Sequence, residues 1–198
     1  MTTEQRAYHH GDLRGALLAE ARKTLDLEGD VDLSLRGLAR AVGVSVNAPY
    51  RHFADKNALL AALAAQGFEE LVIHFATAGT GAVGMLEKCV AYLEFAQRNP
   101  GLYRIMFGPP LYHLHLDADL LQASGAAFQS LRDSIAETKQ MSLTEPEVTH
   151  DSVSVWSTLH GFVMLRQDRA LDWIDPDFVP DARRLARYAL AGILGYAG

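Results

Sequence analysis

Residues 34–57 read SLRGLARAVGVSVNAPYRHFADKN, and no other stretch limits the fold as tightly. Leu35, Leu38, Ala39 and Val42 recur at helical spacing and share one face. Gly43 follows where that helix must stop and the chain must turn back, and a residue without Cβ takes φ > 0 there. Ser45 is placed to cap a second short helix through its hydroxyl, with Phe53 near its end. Asp55 is a further cap, opening a longer helix that begins KNALLAALAAQ. Two short helices joined by such a turn make a helix-turn-helix, whose second helix fits the DNA major groove.

The 198 residues suffice for a sizeable core in one or two small domains. At 49% hydrophobic and 21% charged, the composition is that of a globular protein. Ala and Leu are abundant, strand-like alternation is scarce and prolines fall mostly at segment edges, so an all-α protein is expected. No apolar run approaches the ~18 residues of a membrane span. The N-terminus carries no secretory pattern, and the single Cys89 cannot form an intrachain disulfide. A cytoplasmic protein without a membrane partner is expected. The net charge of −6 divides unevenly: residues 1–57 hold eight Lys/Arg and eight Asp/Glu, so the acidic excess lies beyond them. A strongly basic, non-specific DNA binder is thereby disfavoured, whereas a neutral module with placed cations still contacts phosphates.

Periodicity predicts about nine helices. Besides the pair in the motif, they cover roughly 11–27, 56–75, 83–98, 102–107, 117–139, 146–168 and 180–196. The first carries the stripe Leu13, Leu17, Ala21 and Leu25, behind a polar arm that includes Arg6. Asn99-Pro100-Gly101 reads as a helix stop. Thr144, Pro146 and Glu147 read as a capping-box start to a helix that turns Val148, Val155, Trp156, Leu159 and Val163 inward. The glycine-rich run ATAGTGAVG at 76–84 reads as a loop. It separates a DNA-binding domain at 1–57, extended by a connecting helix at about 56–75, from a second domain at 76–198.

Leu38-Ala39, Gly43-Val44-Ser45, Tyr50-Arg51-His52-Phe53, Lys56 and Leu59-Leu60 together resemble the TetR/AcrR family of bacterial transcription regulators. Tyr8-His9-His10-Gly11-Asp12-Leu13-Arg14 is similar to an opening common in one branch of it. Trp156 with His160-Gly161 resembles the signature of a Trp-His-Gly type of C-terminal domain. The resemblance implies an N-terminal three-helix DNA-binding domain and a C-terminal helical bundle for ligand binding and dimerisation. Ser45, Val46, Asn47 and Ala48 then occupy the exposed start of the recognition helix. Asn47 is suited to a bidentate adenine contact, and Val46 or Ala48 to a thymine methyl. Ser34, Tyr50, His52 and Lys56 form the phosphate group, while Leu38, Val44, Phe53 and the stem of Arg40 pack. A pocket for a small, mostly apolar effector is expected around Tyr92, Phe95, Tyr103, Phe107, Phe128, Trp156, His160 and Met164; the competing reading makes them core filler. Leu185, Ala189, Gly192 and Tyr196 form a candidate homodimer stripe; the competing reading has that helix closing the core of its own chain.

His113-Leu114-His115-Leu116-Asp117-Ala118-Asp119 is the one ligand-like cluster, and a loop leading into a helix start explains it. No metal, cofactor or catalytic residue is expected, and no G-x-S-x-G motif is present. The expected function is a repressor released from a near-palindromic double-stranded DNA operator by its effector. The alternatives are an activator, a regulator answering to a protein, or a helical ligand-binding protein or enzyme with a vestigial DNA module.

Overall fold

The computed structural model describes residues 12–28, 33–108 and 117–194. Every regular element among them is helical, as the composition predicts. The order is α1 (Leu13–Glu28), α2 (Leu35–Ala41), a 3₁₀ turn (Ala48–Arg51), α3 (Lys56–Ala76), α4 (Gly81–Arg98), α5 (Pro100–Phe107), α6 (Ala118–Lys139), α7 (Pro146–Gln167), a second 3₁₀ turn (Pro176–Phe178) and α8 (Ala182–Leu194). The chain divides into two compact units, Met1–Gly67 with Asn99–Gln122, and Phe68–Arg98 with Ala123–Gly198. This differs from a division contiguous in sequence: the boundary falls inside α3, and residues 99–122 return to the first unit.

The return has a packing cause. In the first unit α1 packs on α2, on the 3₁₀ turn and on α5. Leu17, Leu18, Ala21 and Leu25 of α1 are buried, as are Leu102, Tyr103 and Met106 of α5. Arg22 Nη2 donates to Asn99 Oδ1 at 2.5 Å, tying α1 to the residue that precedes α5. A Cβ on Gly67 would lie 2.5 Å from Met106 Sδ and 2.9 Å from Leu102 Cδ2, so α3 approaches these side chains only because that position is glycine. Asn99-Pro100-Gly101 is a shorter stop than expected. Pro100 opens α5 directly, because its missing N–H falls in a first turn that has no partner for one.

In the second unit α4, α7 and α8 pack pairwise. Their buried faces carry Met85, Cys89 and Leu93, then Val155, Leu159 and Val163, then Leu185, Ala186 and Leu190. Burying a leucine-sized side chain fully is worth roughly 1.5–3 kcal/mol, so this apolar seam contributes to the unit's stability. Arg183 grips Glu87 with both terminal nitrogens, at 2.7 and 2.9 Å. Lys139 donates to Glu147 Oε1 at 2.5 Å and to Asp151 Oδ2 at 2.8 Å, joining the end of α6 to the start of α7.

Two local expectations are corrected here. The expected loop at 76–84 shrinks to 77–80, since α4 already begins at Gly81. Gly79 and Gly81 take φ of +81° and +65°. A Cβ on Gly84 would collide with the Gly79 carbonyl, so these glycines serve a tight helix entry rather than a long linker. The capping box at Thr144 does not form. Glu145 stands at the N-cap without a side-chain cap bond, and Glu147 pairs with Lys139 instead. A charged partner outcompetes a backbone N–H for that carboxylate.

One expectation about membranes also changes. Among the described residues one helix, α3, is long and apolar enough to cross a membrane by length and composition. Its most apolar window is 56% buried inside the fold, as in a core helix.

Candidate nucleic-acid interface

Ser34 fixes the start of α2. Its backbone is extended at φ −129°, and its Oγ accepts from Gly37 N at 3.1 Å. A Cβ on residue 37 would sit 2.9 Å from that oxygen, so glycine keeps the cap intact. The other end of α2 is a Schellman motif. Val44 N donates to Ala39 O at 2.9 Å, Gly43 N donates to Arg40 O at 3.2 Å, and Gly43 takes φ +77°. Leu38 is buried and Val44 half-buried as expected, but Arg40 is exposed, its Nε donating to Arg36 O at 3.3 Å.

The recognition element differs from the expected Ser45-capped helix. It is one 3₁₀ turn beginning at Ala48, with Asn47 at the N-cap position and no side-chain cap bond. In a helix capped by Ser45, the first α-type bond would run from the N–H of residue 49 to the Ser45 carbonyl. Pro49 has no N–H to give. Ser45 O instead accepts from Ala48 N at 3.0 Å, and Pro49 O accepts from both His52 N and Phe53 N, at 2.9 and 3.0 Å. Pro49 and Phe53 are buried and anchor the turn, and the Arg14 guanidinium lies 5.5 Å over the Phe53 ring. Ser45, Val46 and Asn47 form an exposed edge, and Ala48 is half-buried behind it.

Tyr50 of the turn also faces an open hollow of about 270 Å³, lined with it by Leu33, Ser34, Leu35, Arg36, Asp55 and Lys56. Three of the four residues assigned to phosphates, Ser34, Tyr50 and Lys56, therefore meet in one place. His52 is exposed at the end of the turn but does not line the hollow. The Ser34 cap bond uses a lone pair, which leaves the hydroxyl proton available to an acceptor. Tyr50 is 46% exposed, which separates it from a core tyrosine. Asp55 Oδ1 accepts from Ala58 N at 2.9 Å, so the one carboxylate lining the hollow is committed to capping α3, where the helix dipole offsets its charge. Arg36 escaped the sequence reading; its signal was its place in the first turn after the Ser34 cap.

The C-terminal candidates separate into groups. Tyr92 is buried, and its hydroxyl accepts from Trp156 Nε1 at 3.2 Å and lies 3.5 Å from His160 Nδ1. Phe128 tilts against Trp156 with centroids 5.8 Å apart. Burial holds the pKa of His160 below its usual 6.5, and a neutral imidazole protonated on Nε2 accepts a hydrogen bond from the Tyr92 hydroxyl at Nδ1. Trp156, expected to point inward, is 37% exposed. The buried stripe of α7 runs through Val148, Ser152, Val155, Leu159 and Val163, and Trp156 lies ~100° around the helix from Val155. Phe95 is buried near His74 in the second unit, Tyr103 is buried against Phe107 in the first, and Met164 is half-buried. The structure thus gathers Tyr92, Phe128, Trp156 and His160. Burial pushes the Cys89 thiol up to about 12, which leaves it protonated and inert.

On α8 Leu185 is buried in its own chain, Ala189 is half-buried and Gly192 is exposed, while Tyr196 lies outside the described residues. Arg184, Arg187 and Tyr188 occupy the outward face. His113 and His115, like Arg6, also lie outside the described residues. Asp117 caps α6, accepting from Leu120 N at 3.0 Å.

Comparison with known proteins bears on both parts of the chain. A family described as bacterial regulatory proteins, tetR family, matches residues 17–63, and one described as tetracyclin repressor-like, C-terminal domain, matches residues 85–193. An uncharacterised HTH-type transcriptional regulator of Mycobacterium tuberculosis is 25% identical over 169 residues, covering 84% of this chain and 75% of its own. The nucleoid occlusion factor SlmA of Actinobacillus pleuropneumoniae is 34% identical over 132 residues, 63% of each chain. A solved structure of a protein of unknown function from Rhodococcus sp. RHA1 aligns over 96% of this chain and 98% of its own, with a TM-score of 0.74 and 28% identity. The TetR family transcriptional regulator PfmR from Thermus thermophilus shares the fold, with a TM-score of 0.59 at 21% identity over 92% of this chain and 99% of its own. With a family match spanning more than half of the chain and a helix-turn-helix at the other end, the chain belongs to the TetR family and is a DNA-binding transcriptional regulator.

Proposed function

We propose that this regulator is a homodimeric repressor, released from a near-palindromic operator by a small, uncharged, mostly apolar effector. The observation that carries the DNA reading is the hollow where Ser34, Arg36, Tyr50 and Lys56 surround one exposed space, with Ser45–Asn47 exposed on the turn that bears Tyr50. Hydroxyl, phenol and cation are the groups that position a phosphate, and the exposed edge is left to read bases. Asn47 offers the adenine-reading amide on that edge. A single 3₁₀ turn supplies few base contacts, so two copies must share the work, on half-sites ~34–36 Å apart or a multiple of that.

The effector reading rests on Tyr92, Phe128, Trp156 and His160. Aromatic rings with a phenol and a neutral imidazole suit a ligand with a hydrogen-bonding tip on an apolar body. A ligand that prefers the non-binding form by about 1–3 kcal/mol lowers DNA affinity roughly 5–150-fold.

A mobility-shift assay on the gene's own upstream region tests the proposal. Lys56→Ala is expected to weaken binding to all sequences alike and to lower the salt slope by about one per subunit. Asn47→Ala is expected to cost about 1–3 kcal/mol and to relax preference at one base pair of each half-site. If both variants bind every duplex as the parent does, the assigned interface is wrong.

A further inference from the structure

Lys88 of α4 turns its ammonium to α6 rather than to water. A lysine on a helix ordinarily lays its stem over apolar surface and keeps its charged head solvated. Here Nζ donates to Ser134 Oγ at 2.7 Å, and reaches Ser130 Oγ at 3.3 Å and Ser130 O at 3.5 Å. Ser134 is buried and Lys88 and Ser130 are half-buried, so the charge sits in a partly dry place between two helices. All three oxygens are neutral. Among the described residues no carboxylate pairs with Lys88, although the chain's acidic excess lies beyond residue 57. The carboxylates of these helices are committed elsewhere. Glu87 is held by both terminal nitrogens of Arg183, Asp133 accepts from Gln129 Nε2 at 2.7 Å, and Asp151 takes Lys139.

A cation drawn out of water calls for an anion, because neutral acceptors do not cancel its charge. The donors define which anion. The Ser134 hydroxyl gives its proton to Ser130 O at 3.0 Å. The Ser130 hydroxyl accepts from Lys88, and its own proton has no acceptor among the described residues. An ammonium held by one short bond and two long ones thus lies 3.3 Å from a hydroxyl with a proton to give. A carboxylate offers two oxygens to such a pair of donors. Its single charge also matches the single cation, whereas a dianionic phosphate would leave one charge uncompensated.

We propose that Lys88 and Ser130, steadied by Ser134, form a binding site for a small monocarboxylate. The site goes beyond the uncharged effector read above: the anion is a second ligand. Tyr92 lies one turn along α4 from Lys88, and Phe128 shares α6 with the two serines. Occupation of the Lys88 site therefore bears on two of the helices that carry the effector cluster.

Propionate, its uncharged counterpart propionamide and inorganic phosphate are the probes, each titrated into the full chain at constant ionic strength and followed by ligand-detected NMR. Propionate is expected to bind saturably and about tenfold or more tightly than propionamide. Lys88→Met, which keeps a long apolar stem, is expected to bring propionate down to the level of the amide. Ser130→Ala keeps the ammonium and suits a helix, so it tests the site even where Lys88→Met does not fold; it is expected to weaken propionate severalfold. No saturable propionate binding, or equal binding of acid and amide, overturns the site. Propionate binding that both variants retain overturns it as well, since the anion then sits elsewhere. Phosphate that binds as tightly as propionate overturns the monocarboxylate class. None of these results touches the uncharged effector, and failure to find that effector leaves each of them readable.

Discussion

Gln140 and Arg169 hold left-handed backbone, with φ of 56° and 58°, at the ends of α6 and α7. Both close Schellman motifs: Met141 N donates to Ala136 O, and Ala170 N to Leu165 O. A Cβ is crowded in that conformation and glycine is not. Gln140→Gly should therefore stabilise the protein by about 1 kcal/mol, read as a higher urea midpoint at constant slope. His160 gives a second residue-scale outcome. Its folded pKa is depressed by burial, so below the usual 6.5 the unfolded chain binds its proton first. Its contribution to stability is complete above 6.5 and is lost as pH falls through the folded value. Urea unfolding at pH 7.5 and 5.5 should show a larger drop for the parent than for His160→Gln. Local chemistry of this kind was partly legible in the sequence. Asp55 caps as read, because a cap depends on a residue and the N–H three positions on. Ser45 does not, because Pro49 removes the donor on which an α-helix would start. Glu147 was misplaced because its partner Lys139 lies on another helix.

Helix existence followed from the 3.6-residue period, and the boundaries moved where glycine or proline has a tertiary reason. At Gly84 the reason is the Gly79 backbone, which no rotamer change can clear. Gly84→Ala should therefore destabilise by about 1–3 kcal/mol, although alanine in a free helix is favoured by about 1 kcal/mol. Thermal unfolding followed by circular dichroism decides the sign, and a rise in midpoint would mean that the α4 entry gives way. Trp156 was read as inward because its spacing lies at the margin of the α7 stripe. Periodicity assigns a face, but only the neighbours of α7 determine where that face ends.

At the scale of the molecule, one short recognition turn per chain predicts strong dependence on both half-sites. A duplex carrying the full operator should bind about 10²–10⁴ times more tightly than one with a single half-site, measured by fluorescence anisotropy at fixed salt. A ratio near one would mean that each chain reads DNA alone. The all-α class and the helix-turn-helix were legible from spacing, since both are local patterns. The membership of residues 99–122 in the first unit was not, because it depends on α1 meeting α5 across a separation of 77 positions in sequence, as Arg22 and Asn99 do. That membership also sets an order of events during synthesis. A ribosome delivers the chain from its N-terminus at about 5–20 residues per second. Leu17, Leu18 and the rest of the α1 face emerge well before Leu102, Tyr103 and Met106 exist to cover them. The DNA-reading helices are thus made before α5, yet their core cannot close until α5 has followed them out.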